Sequence, residues 1–270
     1  MAYQNLPIGT SNPGLAMILV DQSYSMRDPY DPGQKKDFAA LAVNRAIYEI
    51  VLACQSGEII KDRVYLAVIG YGADINVLLD GKISEIANNP VEIQKMKKKE
   101  PDGAGGLVEL DFEMPVWIKP RADNGTPMGQ AFETAHRVAE TWISKHSDNF
   151  PPIVINISDG EPNDPDHTEN AAHKLMDLST NDGNLLLMNA HISNASAGEV
   201  ALPDDDKGLY DKYARFLFNI SSILPEPMMV AAKNAGLSPQ QNSRAFLFNA
   251  SAEKVIKLLE FGTLKTLGLR

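Results

Sequence analysis

Five short, continuous apolar runs constrain the fold of this 270-residue chain more than any other feature. They are 15–20 (LAMILV), 64–72 (VYLAVIGYG), 153–158 (IVINIS), 185–192 (LLLMNAHI) and 245–249 (AFLFN). Runs of this length that do not alternate between apolar and polar residues are typical of strands buried on both faces, as in a parallel sheet covered by helices. We therefore predict five such strands in one sheet.

Stretches with a helical spacing of apolar residues separate these runs. The two clearest are 35–54 and 127–146, and the second begins with Pro127, a residue favoured in the first turn of a helix. Further helices are predicted at 166–180, 209–220, 226–235 and 251–262. Strands that alternate with helices predict an α/β fold with a doubly wound, mostly parallel sheet and helices on both faces.

The segment from about 80 to 125 interrupts this alternation. It contains a basic run, a glycine-rich stretch, and then LVELDF (107–112) and VWIKP (116–120), which we expect to pair as an edge hairpin. We interpret the segment as an elaboration of a single domain that spans 14–270 after an N-terminal extension, 1–13. The lysines of the run are interpreted as a solvated face, with a partner-docking patch as the alternative. They are Lys95, Lys97, Lys98 and Lys99.

Charge and composition exclude several classes of function. The formal net charge of -10 argues against a nucleic-acid partner, because phosphate binding requires a basic face. The single cysteine, Cys54, lies in an apolar helical stretch where we expect it to be buried, and one cysteine can form neither an internal disulfide nor a thiolate metal site. No apolar run approaches the roughly 20 residues that cross a bilayer. With no secretion signal at the N-terminus, we expect a cytoplasmic protein without a membrane partner.

Oxygen-bearing side chains follow the apolar runs at three places. Asp21, Ser23 and Ser25 come directly after the first run in GLAMILVDQSYSM. Thr126 stands before a predicted helix in NGTPMG, and Asp159 ends the run 153–158. Ligands of open parallel sheets gather beyond the carboxyl ends of the strands. We therefore expect these five side chains to lie at the same edge of the sheet.

Hydroxyls and carboxylates without histidine or cysteine suit a hard cation, Mg²⁺ above all, with Mn²⁺ or Ca²⁺ as alternatives. Three neutral hydroxyls and two aspartates leave room for waters and for one exchangeable position, which an anionic oxygen from outside can complete. Each cluster also has a purely structural interpretation. Asp21 to Ser25 can form a turn and an N-cap, Thr126 can cap the helix that follows, and Asp159 with Gly160 can form a turn. Their conjunction favours the metal site.

The order of these residues resembles the von Willebrand factor A domain family and its metal-ion-dependent adhesion site. The family pattern is Asp-x-Ser-x-Ser after the first strand, a threonine in a middle loop and an aspartate at the end of the fourth strand. The matching residues are Asp21, Ser23, Ser25, Thr126 and Asp159. The resemblance implies a Rossmann-like sheet with one antiparallel edge strand. It also implies that the three hydroxyls contact the metal directly, while the two aspartates act largely through bound waters.

The same resemblance implies that a glutamate or aspartate of a partner protein takes the open metal position. Tyr24, Gly160 and Glu161 flank the predicted metal ligands and are expected to form the rim that the partner contacts. The chain is most similar to stand-alone intracellular bacterial members, such as the tellurium-resistance-associated ones, some of which act beside kinases, phosphatases or chaperone-type ATPases. The predicted function is a non-enzymatic adaptor in an intracellular bacterial complex or stress response. Asp21→Ala or Thr126→Ala should abolish magnesium-dependent partner capture and leave the fold intact.

Two other functions are consistent with the sequence. A magnesium-dependent phosphatase of the haloacid-dehalogenase type would use Asp21 as nucleophile, with Asp159 and Asp164 as further carboxylates, although Ser23 stands where such an enzyme needs its general acid. Alternatively, the cluster is vestigial and the protein binds through its surface. The interface would then be the lysine run or the segment 224–233, although we expect that segment to be a helix with Met228, Met229 and Val230 in the core.

Overall fold

The computed structural model describes residues 3, 8–30, 33–101, 107–193, 198–249 and 252–260. Nine strands of the described chain are labelled here in chain order. They are β1 (Gly14–Asp21), β2 (Val64–Tyr71), β3 (Ile75–Lys82), β4 (Glu92–Pro101), β5 (Leu107–Val116), β6 (Ile153–Ser158), β7 (Leu186–His191), β8 (Val200–Ala201) and β9 (Phe246–Phe248). Three antiparallel pairs of two-residue strands are left without labels: Pro29–Tyr30 with Gly33–Gln34, Gln55–Ser56 with Ile59–Ile60, and Ser179–Thr180 with Gly183–Asn184.

Seven of the labelled strands form one sheet in the order β8-β9-β7-β6-β1-β2-β3. The five strands predicted from apolar runs are its parallel centre, with β1 paired to β6 and β2, β6 to β7, and β7 to β9. The expected antiparallel edge strand is β3, which pairs with β2. A second antiparallel strand, the two-residue β8, lies at the opposite edge and was not predicted.

Strand β1 shows why the sequence lacks an apolar–polar alternation. All eight of its residues are buried, and successive side chains enter different cores. Ala16, Ile18 and Val20 belong to the core on one face of the sheet, and Leu15, Met17 and Leu19 to the core on the other face. Because side chains alternate across a strand, a strand covered on both faces is apolar at every position.

Seven helices of the described chain cover the sheet. They are α1 (Lys35–Cys54), α2 (Ile83–Ala87), α3 (Met128–Ile143), α4 (Pro165–Asp177), α5 (Lys212–Asn219), α6 (Glu226–Asn234) and α7 (Ala252–Glu260), and a 3-10 helix spans Tyr24–Arg27. Helices α1, α6 and α7 contribute to one core, and α3, α4 and α5 to the other. The predicted doubly wound α/β fold, with helices on both faces, is therefore confirmed.

The pairing that we predicted within 80–125 is wrong. The residues of LVELDF lie in β5, which pairs with the charged β4 rather than with VWIKP. Lys95 stands opposite Glu113 and Lys97 opposite Asp111, so a basic strand faces an acidic one. Attraction between opposite charges across a strand pair favours this register. Lys95 and Lys97 are exposed, as expected for a solvated face, but their pairing with an acidic strand was not predicted.

The first three residues of VWIKP are instead buried, while Lys119 and Pro120 are exposed. Trp117 and Ile118 are buried, and the side chain of Asn44 in α1 makes three hydrogen bonds with their backbone. The Asn44 amide donates to the Ile118 carbonyl at 2.8 Å, and its oxygen accepts from the Trp117 and Ile118 amides at 2.8 and 3.1 Å. This clamp fixes the start of the loop that leads to Thr126.

The structure also locates part of the N-terminal extension, the cysteine and the segment 224–233. Of the extension 1–13, the structure describes residue 3 and 8–13, and Ile8 lies in the core. Cys54 is buried, as expected. In α6, Met228 is fully buried and Met229 is partly buried against the core, but Val230 is exposed, so its predicted core position is wrong. Within the described ranges, no helix combines the length and apolar character needed to cross a membrane.

Candidate metal centre

Asp21 is the last residue of β1, and its side chain is fully buried. Both of its carboxylate oxygens accept hydrogen bonds, Oδ1 from the backbone amide of Ser23 at 2.8 Å and Oδ2 from the Ser158 hydroxyl at 2.7 Å. Ser158 is the last residue of β6, the strand beside β1. These bonds hold the carboxylate between the ends of the two strands.

The serines that follow Asp21 place two hydroxyls side by side. Ser23 Oγ and Ser25 Oγ are 3.0 Å apart. Ser23 occupies the N-cap position of the 3-10 helix, but its side chain makes no capping hydrogen bond. Helix capping by the serine side chain therefore does not explain this hydroxyl pair, although Asp21 does fix the turn through the Ser23 amide.

Asp159 follows β6, and only 7% of its side chain is exposed. Its Oδ2 atom accepts a hydrogen bond from the ammonium of Lys35 at 3.1 Å. Its Oδ1 atom is buried and has no hydrogen-bond partner among the residues that the structure describes. A buried carboxylate oxygen without a partner is costly, so this atom points to a ligand that binds there.

Thr126 lies in the loop before α3 and is buried. Its backbone is tied to the loop after β6, because its amide donates to Asn163 Oδ1 at 2.9 Å and its carbonyl accepts from the Asn163 amide at 3.0 Å. The same loop is tied to the one after β1, because the Asp123 amide donates to the Gln22 carbonyl at 2.6 Å. The N-cap position of α3 is Pro127, with no capping side chain, so the Thr126 hydroxyl does not cap this helix.

The fold therefore brings the loops that carry the predicted ligands to one edge of the sheet. A hydrogen bond links Asp21 to Ser158, the residue before Asp159. The hydroxyls of Ser23 and Ser25 contact each other. Backbone hydrogen bonds join the loop that carries Thr126 to the loops after β1 and β6. Sequence reasoning did not find Lys35, Ser158 or Asn163, because none of them belongs to the ligand pattern and each acts on a residue distant in the chain.

The electrostatics of the centre favour a cation. Burial and the charge of Asp159 raise the pKa of Asp21 to about 7. Burial and the nearby Asp21 also raise the pKa of Tyr71 well above its ordinary value. Within the described ranges, Asp21 forms no ion pair with a lysine or arginine. A divalent cation would relieve the repulsion between the two carboxylates.

Gly160 makes the turn after Asp159. It is buried, its φ is +97°, and its amide donates to the Ser158 hydroxyl at 2.8 Å. A Cβ at this position would lie 2.7 Å from His191 Nε2 and 2.9 Å from the Cβ of Tyr213. The predicted rim residue is thus a tightly enclosed part of the backbone. The buried His191 of β7 donates from Nε2 to the Asp159 carbonyl at 2.6 Å.

Gly160→Ala should lower the free energy of unfolding by about 3 kcal/mol, since alanine combines backbone strain at positive φ with overpacking against His191. Urea denaturation in EDTA measures this effect. Gly208→Ala is the matched control, because a Cβ there meets no atom within 4 Å. Equal stabilities of the two variants would contradict the close packing of this turn.

The other two rim residues are exposed. Tyr24 is 61% exposed, and the guanidinium of Arg27 lies 5.0 Å from the centroid of its ring. Glu161 accepts a hydrogen bond from the hydroxyl of Tyr213. Farther along the same loop, Asp164 caps α4 by accepting a hydrogen bond from the amide of His167 at 3.0 Å.

The chemistry of this centre fits a hard divalent cation. The candidate donors are three hydroxyls and two carboxylates, all of them oxygens, and one of these carboxylate oxygens, Asp159 Oδ1, has no partner among the described residues. In the part of the chain that the structure describes, no three or more histidine, cysteine, aspartate or glutamate side chains form a metal-binding cluster. The centre thus differs from sites built on imidazole or thiolate ligands.

Comparison with known proteins shows the fold. No family model matches the chain, and no curated protein matches it by sequence. Among solved structures, the pilus adhesin SpaC from Lactobacillus rhamnosus GG is similar over 99% of this chain and 31% of its own, with a TM-score of 0.54 and 12% sequence identity. The protein therefore shares with SpaC the doubly wound α/β architecture described above.

Two weaker similarities involve proteins with bound metals. One is proximal thread matrix protein 1 from the mussel byssus, with a zinc-occupied MIDAS motif, which is 14% identical over 95% of this chain and 48% of its own, with a TM-score of 0.44. The other is the manganese-loaded TRAP protein of Plasmodium vivax, 12% identical over 87% of this chain and 70% of its own, with a TM-score of 0.41. The chain spans less than half of the SpaC and mussel chains.

Proposed function

We propose that this protein is a non-enzymatic, metal-dependent binding module that captures a carboxylate of a partner protein. The observation that carries the proposal is the buried, unpartnered Oδ1 of Asp159 in a centre where Asp21 is also buried. Two carboxylates and three hydroxyls there supply oxygen ligands to a hard cation, Mg²⁺ first, with Mn²⁺ or Ca²⁺ as alternatives. The von Willebrand factor A resemblance of the sequence supports the same assignment.

The hydroxyls, the carboxylates and the exposed residues of the centre would have different roles. The hydroxyls of Ser23, Ser25 and Thr126 would hold the cation directly, and Asp21 and Asp159 would balance its charge. When bound, the cation supplies a positive centre that accepts an aspartate or glutamate oxygen. Because hydroxyl ligands are neutral, the cation keeps most of its attraction for an incoming carboxylate. Exposed Tyr24 and Glu161 would contact the partner around it.

The geometry around Asp21 argues against the phosphatase alternative. A nucleophilic aspartate needs a carboxylate oxygen free to attack phosphorus, but both oxygens of Asp21 accept hydrogen bonds and the side chain is fully buried. The Ser23 hydroxyl also lacks the carboxyl proton of a general acid. Magnesium-dependent hydrolysis of a generic phosphate ester that disappears in Asp21→Asn would contradict a purely binding function.

Thr126→Ala should weaken divalent-cation binding by at least about 100-fold, since even residues that only orient metal ligands contribute 10- to 100-fold. The free energy of unfolding in EDTA should change by less than about 1 kcal/mol, because the hydroxyl does not cap α3. Calorimetry with Mg²⁺ and Mn²⁺ measures the affinity. The control is Thr134→Ala, a partly exposed threonine of α3 whose hydroxyl bonds only within its helix.

Partner capture is tested with the immobilised full chain. Proteins retained in Mg²⁺ but lost in EDTA, and lost again with Thr126→Ala, would support the proposal. Recovery of the same proteins in Mg²⁺ and in EDTA would contradict it. We further propose an intracellular adaptor in a bacterial complex or stress response, located in the cytoplasm beside a kinase, phosphatase or ATPase. This part rests on the sequence resemblance and on the single, buried cysteine.

A further inference from the structure

Lys35 occupies an unfavourable position for a lysine. It is the first residue of α1, where the helix dipole disfavours positive charge, and only 9% of its side chain is exposed. Its ammonium lies 3.1 Å from Asp159 Oδ2 and 3.3 Å from Asp28 Oδ2. A lysine is buried in this way only when its charge is paired. The carboxylates therefore hold it there.

The two carboxylates contribute unequally to this arrangement. The side chain of Asp28 is 54% exposed, so water screens its attraction for the ammonium. The side chain of Asp159 is 7% exposed, so its pair with Lys35 is the stronger one. Lys35 thus neutralises part of the charge that the candidate metal centre offers to a cation.

The Lys35 ammonium binds one oxygen of the Asp159 carboxylate, and the other oxygen of the same carboxylate has no partner within the described chain. Lys35 binds Asp159 Oδ2, and Oδ1 is the buried atom without a partner. The position of Lys35 therefore leaves Oδ1 available to a ligand. An ammonium and a divalent cation, or a water that the cation holds, can share Asp159 at the same time.

We propose that Lys35 is a built-in counter-cation that sets the net charge of the metal centre. It lowers the affinity for the divalent cation by repulsion. Once the cation is bound, the charges of Asp21 and Asp159 offset those of the metal. Lys35 then adds positive charge to the centre, because water screens its second partner, Asp28. An incoming carboxylate then meets a cationic centre rather than a neutral one. This inference rests on the proposed function and adds a residue that the metal-binding pattern does not contain.

The test compares the affinity of Lys35→Met and the original protein for Mn²⁺ and Mg²⁺ by calorimetry at fixed ionic strength. We expect Lys35→Met to bind both cations about tenfold more tightly, the effect of removing a like charge a few ångströms away in a partly screened setting. Lys35→Arg keeps the charge and should bind like the original protein. Lys36→Met removes the neighbouring lysine of the same helix and should also leave the affinity unchanged. An unchanged affinity in Lys35→Met would overturn the proposal.

A second readout keeps the result interpretable if the variant is unstable. In EDTA, Lys35→Met should melt at a lower temperature than the original protein, because the buried Asp159 has lost its counter-ion. Saturating Mg²⁺ should then raise the melting temperature more in Lys35→Met than in the original protein, and a variant that folds only with Mg²⁺ would support the proposal equally. An equal rise in both proteins would overturn it.

The outcomes separate this inference from the proposed function. If the original protein and all three variants bind no divalent cation, the proposed function and the role of Lys35 both fail. If the original protein binds the cation and Thr126→Ala does not, but Lys35→Met binds like the original protein, only the role of Lys35 fails.

Discussion

Replacing Asp21 by asparagine should stabilise the metal-free protein while removing its response to divalent cations. In the folded chain Asp21 is fully buried, and burial together with the charge of Asp159 raises its pKa from 3.8 to about 7. Above that pH the folded state carries two neighbouring carboxylates. Asparagine keeps a side-chain oxygen that can accept from the Ser23 amide and carries no charge, so it removes the repulsion.

The pH dependence follows from the direction of this shift. Because the pKa of Asp21 is higher in the folded than in the unfolded state, the folded state binds the proton more tightly between these two values. The stability of the original protein in EDTA should therefore fall as the pH rises from about 4 to about 7 and then level off. Asp21→Asn lacks this contribution and should be more stable at pH 8 by on the order of 2 kcal/mol.

Urea denaturation in EDTA at pH 5, 6, 7 and 8 measures this prediction. With a divalent cation at 100 times its Kd, the original protein should gain about 2.7 kcal/mol and Asp21→Asn almost nothing. Asp74→Asn, a change at an exposed turn aspartate, serves as the control for loss of charge. A variant less stable than the original protein at pH 8 in EDTA would contradict the electrostatic account.

The second large effect is expected below the metal centre, where buried polar side chains connect three strands. The Tyr71 hydroxyl of β2 donates to Asn156 Oδ1 of β6 at 2.7 Å, and the Asn156 amide donates to Asn189 Oδ1 of β7 at 2.9 Å. The Asn189 amide in turn donates to the Ser221 hydroxyl at 3.0 Å. All four residues are buried, so each of these hydrogen bonds replaces water that the core excludes.

Asn156→Ala should lower the free energy of unfolding by about 3 to 5 kcal/mol, because it removes the partner of two buried polar groups and leaves a cavity. Denaturant unfolding in EDTA measures the loss, and Asn170→Ala, at an exposed position of α4, is the control. Adding Tyr71→Phe to Asn156→Ala should restore part of the stability, since the hydroxyl that lost its acceptor is then absent. If the two substitutions are simply additive, Tyr71 and Asn156 are not coupled.

This network shows a limit of reading strands from sequence. Asn156 and Asn189 lie inside the apolar runs IVINIS and LLLMNAHI. The sequence alone gives no reason for a polar side chain at these two positions. In the sheet they occupy the same register position on neighbouring strands and bond to each other. The runs predict two buried strands but not their adjacency, so the pairing of the two amides follows only from the sheet order.

The sequence by itself determined the five central strands, six of the helices and the candidate ligands. Parallel strands covered on both faces and helices with one apolar face have local periodicities, so the predicted elements lie within a few residues of those in the structure. Asp21, Ser23 and Ser25 could be grouped because they are neighbours in the chain and follow a strand. Thr126 and Asp159 were assigned to the same centre because loops at the carboxyl ends of parallel strands meet at one edge of the sheet, and the family resemblance supported the assignment. Metal binding by these residues stays a prediction.

Only the tertiary structure decided which distant groups meet. Lys35 pairs with Asp159 across 124 positions of the chain, Asn163 holds the backbone of Thr126, and β4 pairs with β5 through opposite charges. Ion pairs and single hydrogen bonds between distant residues repeat with no period, and they form only after the apolar faces have set the order of the strands. For that reason the charge balance of the metal centre, unlike its ligands, could not be predicted from the sequence.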